Sequence, residues 1–412
     1  MDLKARFIEN YDLLANKIHA TQKDIVFSNK KYNSLALFSL ITALTNSSML
    51  VFGEYGTGKT SIVQGAVSII NLIPKHLVES YSIKGNTEIT TEDIIGRPHM
   101  GKLNLGEEKV IWSNFVNAPA KVVDELNRIP EFKQNLLLQG MQSNQWGYLN
   151  ETKKTGKTAW FATLNYKDFG NFNVIPPLLD RFDLALESKS PSINNSRLII
   201  NTEEYQDSHI PQSKETSVLF KDFIKQEYGV RLLDFSEKNK IREQIKNQPL
   251  SKNAYLLLDV ILSELATCQV YGAKRSTEDC MSGCHYSGYA CNKIKNPLSI
   301  RTTKALTNIS KAISWLEGKN YVGDLTINQL LPYVTWHKIG LKDQFLLGFE
   351  NERQNKLELH ATKILANNIY SRFKEIHKKQ TQMVSLIVED KFSEAFNLAK
   401  EMDHPVFKEY LK

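Results

Sequence analysis

Polar and apolar positions change period several times along the chain, and each change marks an element. Through residues 1–46 the apolar positions recur at helical spacing, most clearly in YNSLALFSLITALTN, so this stretch is expected to be helical. The run MLVF that follows is short and unbroken, as in a strand buried on both faces. A glycine-rich turn, GEYGTGKTS, comes next, and SIVQGAVSIINLI returns to helical spacing. Further strands are expected at HLVESYSI, KVIWSNF, AKVVDEL and TAWFATLN, with helical patterns such as PEFKQNLLLQGMQ between them. Such alternation predicts an α/β fold with a mostly parallel sheet. It stops near Ser188, where SKSPSINNS is a Ser/Pro/Asn-rich break. From about Phe220 the pattern is mostly helical, apart from a loop between Cys268 and Cys291.

The expected organisation is an α/β core with N-terminal helices over 1–188, a linker or insert over 189–249, an all-helical lid over 250–345 and a helical tail over 346–412. A length of 412 residues suits two or three domains. Apolar content of 42% and charged content of 24% are those of a soluble protein with a substantial core. The most apolar segment, residues 34–52, is broken by Ser, Thr and Asn and falls short of a membrane span. The N-terminus shows no apolar secretory core, so a cytoplasmic location without membrane attachment is expected. The net charge of +7 is spread among 45 acidic residues, which reads as a solvated surface rather than a concentrated nucleic-acid face.

Gly53, Gly58, Lys59 and Thr60 satisfy the pattern G-x-x-x-x-G-K-[ST], and Glu54, Tyr55, Gly56, Thr57 and Ser61 complete the loop. Glycines let the backbone wrap closely enough for its N–H groups to point at phosphate oxygens, reinforced by the N-terminus of the following helix. Lys59 is then placed to reach the β and γ phosphates of ATP, and the Thr60 hydroxyl to ligate Mg²⁺. A second GKT at Gly156–Lys157–Thr158 has Glu151 where the first glycine should be, and TKKTGK reads as a hairpin turn between QWGYLN and TAWFATLN. The acidic partner of a phosphate loop is expected at the end of an apolar strand, and VVDELNR supplies Asp124 for Mg²⁺ and Glu125 to polarise the attacking water.

VVDELNRIP, followed by a helix ending in LLLQGMQ, resembles the extended acidic signature of MoxR-type AAA+ ATPases of the helix-2-insert clade. The resemblance runs in register over roughly residues 45–190 and 250–340, through TTEDIIG, WSNFVNAPAKVVDE, FATLNY, PPLLDRFDL and NPLSIRTTKAL. It implies that Asn165 senses the γ-phosphate or the attacking water. Arg181 is by the same resemblance the arginine finger serving a neighbouring subunit, and Arg301 the lid residue that senses phosphate. Arg128 also fits the signature. The sequence departs from the family at Leu164 and Tyr166, and where KDFGNFNVI replaces a family segment. What the resemblance implies is a homo-oligomer, in this family a hexameric ring, that hydrolyses Mg-ATP to remodel a client, commonly with a von Willebrand A-domain partner.

All four cysteines, Cys268, Cys280, Cys284 and Cys291, fall close together, with His285 beside them. A reducing compartment disfavours disulfides, and four thiolates can close a tetrahedral structural Zn²⁺ site, with His285 as a substitute ligand. The polar loop STEDCMSGCHYSGYACNKIKN has few core residues of its own to order it. Free or redox-active thiols are the alternative. Two rival functions stand beside the remodelling ATPase. One is a nucleic-acid translocase of the restriction-motor or helicase kind, which stimulation by DNA would reveal. The other is a module that binds nucleotide without turnover, against which Glu125, Asn165 and Arg181 argue.

Overall fold

The computed structural model describes residues 2–19, 22–166, 172–189, 207–268, 273–274, 284–349 and 356–412. The chain divides into two compact units, Met1–Gln244 and Ile245–Lys412. Among the described residues, no single helix is long and apolar enough to cross a membrane.

The first unit is built on a five-stranded, wholly parallel sheet. Its strands are β3 (Ser48–Gly53), β4 (Ile83–Lys84), β7 (Ala120–Asp124), β10 (Ala159–Leu164) and β11 (Leu184–Ser188), in the order β11-β3-β10-β7-β4. β3, β7 and β10 are mostly apolar and almost wholly buried, the state of parallel strands covered by helices on each side. Met49, Leu50, Val51, Phe161, Ala162, Val122 and Val123 form the sheet's contribution to the core. Before the sheet come α1 (Leu3–Asp12) and α2 (Ser34–Thr45), and α2 is buried along nearly its whole length. β3 runs through the glycine loop into α3 (Lys59–Asn71), the strand–loop–helix order expected from the pattern.

Several local expectations are corrected. Residues 1–46 are not helical throughout, because a hairpin of β1 (Ile25–Phe27) and β2 (Lys30–Tyr32) stands between α1 and α2. Its turn places Ser28 and Asn29 at φ of 43° and 65°, the left-handed geometry that two-residue hairpins require. Most of HLVESYSI is helix α4 (Lys75–Tyr81), started by Pro74, and only Ile83–Lys84 joins the sheet. So short an apolar run fits either period, and the burial of Leu77 and Val78 decides for helix. In KVIWSNF, β6 (Val110–Trp112) pairs antiparallel with β5 (Gly96–Pro98) and stays outside the main sheet. α5 (Glu131–Ser143) precedes β8 (Gln145–Tyr148), which pairs with β9 (Glu151–Lys154). The hairpin turn is therefore at Leu149–Asn150 rather than in TKKTGK. Strand β10 rather than a helix follows the second GKT, so Gly156–Lys157–Thr158 has no phosphate-loop geometry.

Residues 207–244, read as linker, pack onto the first unit. α6 (Thr216–Tyr228) and α7 (Phe235–Lys246) lie along this stretch. Buried Asn10 of α1 donates to the Arg231 carbonyl at 3.1 Å and accepts from the Leu233 N–H, and Arg6 pairs with Glu237. Lys238 donates to the Ile70 carbonyl and Arg242 to the Leu44 carbonyl, near the C-terminal ends of α3 and α2. Cations there satisfy orphan carbonyls and complement the helix dipole.

The second unit is helical, with α8 (Lys252–Leu265), α9 (Ile300–Glu317), α10 (Asp324–Ile339), α11 (Leu357–Val388), α12 (Phe392–Glu401) and α13 (Pro405–Glu409). The tail is integral to it, since buried Gln380 of α11 donates to the Leu256 carbonyl at 2.8 Å and Tyr410 to Asp259 at 2.6 Å. Wholly buried Glu264 joins four segments. It accepts from both Arg372 Nε (2.9 Å) and Nη2, from the Ala290 N–H at 3.0 Å, and it contacts His404 Nε2 at 3.2 Å. Burial alone would raise this carboxyl's pKa, but His404, Arg372 and the Ala290 N–H together hold it below the usual range.

Candidate nucleotide site

The C-terminal ends of β3, β7 and β10 lie side by side, and each delivers one part of the predicted constellation. At the end of β3, Gly56 and Gly58 take φ of 72° and 75°, which side chains disfavour, so the loop can curl into the first turn of α3. A Cβ on Gly53 would stand 2.5 Å from the Ser188 carbonyl at the end of β11. Ser188 also donates to the Thr57 carbonyl at 3.0 Å, so the edge strand braces the loop. Lys59 is 7% exposed, and its Nζ donates to the carbonyls of Gly53 (2.9 Å) and Glu54 (2.6 Å). Burial lowers its pKa, while Asp124, Glu125 and Glu54 act in the opposite sense.

At the end of β7, Asp124 Oδ1 accepts from the Thr60 hydroxyl at 2.6 Å and from the Thr163 hydroxyl. This hydroxyl–carboxylate pair is a hard oxygen donor set, the chemistry that suits Mg²⁺, which keeps most of its own waters. Glu125 follows in a left-handed conformation (φ 53°) that turns its side chain off the strand line. Its N–H donates to Thr163 Oγ1 at 2.9 Å. Asn165, just past β10, donates from Nδ2 to Glu125 Oε1 at 2.8 Å, and Arg128 Nε lies 3.0 Å from Glu125 Oε2. Arg128 Nη2 reaches the Tyr55 hydroxyl at 3.2 Å. Buried Gln134 of α5 ties the approach together by donating to the Ile129 and Asn173 carbonyls and accepting from the Ile175 N–H.

The fold thus gathers Gly53, Glu54, Tyr55, Gly56, Thr57, Gly58, Lys59, Thr60, Ser61, Asp124, Glu125 and Asn165 into one site. Thr163 and Ser188 also belong to it and were not singled out from the sequence. The only signal for Thr163 is a hydroxyl inside the otherwise apolar AWFATL.

Arg181 lies elsewhere. Its carbonyl accepts from Ser48 Oγ at 2.8 Å, at the start of β3, whereas the loop is at the end. Five residues of strand put these ends roughly 17 Å apart, beyond the span of one arginine side chain. Arg301 occupies the first turn of α9 in the second unit, behind the N-cap Ser299. Of the expected zinc ligands, Cys280 lies outside the described residues. Cys268, Cys284 and Cys291 are not in disulfides, and no group of three or more potential metal ligands occurs among the described residues.

His19 lies against α3, with Nε2 3.2 Å from where a Cβ on Gly65 would stand. Burial, aided by the Lys75 charge, lowers its pKa to about 4. A depressed histidine pKa means that the unfolded chain binds the proton more readily, so stability should fall as pH drops from about 6.5 towards 4. Melting curves at pH 7 and 4.5 should show a smaller decline for His19→Gln than for the parent.

No family model and no curated protein matches the sequence. Among solved structures 464 chains match. One is the "putative ATPase" of Cytophaga hutchinsonii, with a TM-score of 0.61 over 90% of this chain and 94% of that one, at 17% identity. At that identity the likeness shows the fold: an α/β core with a parallel sheet, followed by helices.

Proposed function

We propose that this chain is an Mg-ATP-hydrolysing AAA+ ATPase of the MoxR kind, acting as a homo-oligomeric ring that remodels or assembles a partner complex. The observation that carries it is the meeting of Lys59, Thr60, Asp124, Glu125 and Asn165 at one end of the sheet, with Arg181 at the other.

Lys59 must exchange the Gly53 and Glu54 carbonyls for phosphate oxygens. Thr60 and Asp124 would hold Mg²⁺, which neutralises charge developing on the phosphates. Glu125 orients the attacking water and takes its proton, while Asn165 positions that water or the γ-phosphate. Arg181 lies at the opposite end of β3 from its own loop, and by family resemblance it serves the neighbouring subunit's nucleotide. By family resemblance Arg301 senses phosphate from the helical unit, the ring is a hexamer, and a von Willebrand A-domain protein is the working partner in the cytoplasm. The same reading keeps Cys268, Cys280, Cys284 and Cys291, with His285 as substitute, as a structural Zn²⁺ site in the helical unit. Phosphate release from Mg-ATP by the purified chain tests the central claim, and release no faster than in buffer would refute it.

A further inference from the structure

Glu125 is held on both of its oxygens, by Asn165 on Oε1 and by Arg128 on Oε2. A general base must lie within hydrogen-bond reach of its water, and these two contacts fix where the Glu125 carboxylate points. Arg128 is kept within reach by its place in the turn after β7, where its N–H donates to the Glu125 carbonyl at 2.9 Å. Its guanidinium also contacts the hydroxyl of Tyr55, a residue of the phosphate loop itself. Tyr55 follows Glu54, whose carbonyl Lys59 holds at 2.6 Å.

We infer that Arg128 is a positioning residue that latches Glu125 and, through Tyr55, links the latch to the state of the phosphate loop. The latch rests on the nucleotide reading above. Phosphate draws Lys59 away from the Glu54 carbonyl, the Glu54–Tyr55 segment relaxes, and Tyr55 gives up Arg128. Arg128 then releases Glu125 once nucleotide has entered. Coupling of this kind is reciprocal. If nucleotide binding breaks the Tyr55–Arg128 contact, weakening that contact must tighten nucleotide binding.

The test is equilibrium binding of ATP with Mg²⁺ to the full chain carrying Tyr55→Phe, Arg128→Gln or both, with Lys59→Ala as the non-binding control. Tyr55 is half exposed, so losing its hydroxyl leaves the core alone. Each single variant should bind ATP about 2- to 10-fold more tightly, the worth of one net hydrogen bond. The double variant should bind no more tightly than the better single one, because both remove the same link. A merely structural role predicts weaker binding and a lower melting temperature. Unchanged or weaker binding by Tyr55→Phe, or effects that simply add, would overturn the latch while leaving the nucleotide reading intact. A parent chain that binds ATP no better than Lys59→Ala would overturn both.

Discussion

Glu125→Gln is expected to bind Mg-ATP as tightly as the parent, or more tightly, while turnover falls by about 10²–10⁴-fold, the usual worth of a positioned general base. The amide keeps the shape of the side chain and can still meet Asn165, so the turn after β7 should hold. Lys59, Thr60 and Asp124, which form the phosphate and Mg²⁺ end of the site, are untouched. Phosphate release and titration with a fluorescent nucleotide separate the two effects. Turnover at the parent rate would remove Glu125 from the role of base. The stalled variant is also the natural trap for a partner, captured from native cells in the presence of Mg-ATP. Recovery of a von Willebrand A-domain protein would support remodelling, and recovery of nucleic acid with a nuclease subunit would argue for a translocase.

Arg181→Ala should cost about 10³–10⁵ in turnover if it supplies the arginine finger, with little change in nucleotide affinity. The location of Arg181 sharpens this into a test of how the subunits cooperate. The Ser48 hydroxyl fixes its carbonyl at the start of β3, and the phosphate loop is at the end of the same strand. A site that borrows Arg181 from its neighbour can be rebuilt from two broken chains. In an equal mixture of Arg181→Ala and Glu125→Gln, about a quarter of the head-to-tail interfaces pair an intact Glu125 with an intact Arg181. Activity should therefore recover to a fraction of the parent's on mixing and reassembly. A mixture as inactive as its components would show that Arg181 does not act across an interface.

The catalytic pieces that could be read from the sequence are those whose chemistry is local. A phosphate loop needs its glycines, lysine and hydroxyl within one turn of backbone between strand and helix, so Gly53, Gly58, Lys59 and Thr60 declare themselves by spacing. Asp124 and Glu125 are legible for the same reason, as charges that end an apolar strand. The alternation of β3, β7 and β10 with helices was enough to predict a parallel sheet.

Contacts between distant segments were not legible. Strand order β11-β3-β10-β7-β4 brings Thr163 to Asp124, Asn165 to Glu125 and Ser188 to the loop across dozens of residues. Short runs were ambiguous too, and Lys75–Tyr81 became helix because packing rather than period chose its buried face. The Ser28–Asn29 hairpin was hidden because its signal is two left-handed residues, not a periodic pattern.

The sequence by itself determined that a phosphate loop stands between a buried strand and a helix, and that an acidic pair ends another buried strand, because backbone wrapping and strand burial depend on neighbouring residues. Only the tertiary structure decided that these two features meet, that Thr163 and Arg128 contact the acidic pair, and that Arg181 lies at the opposite end of β3 from the loop. Those outcomes depend on which strand pairs with which, and the energy that decides pairing is long-range burial that no local pattern records.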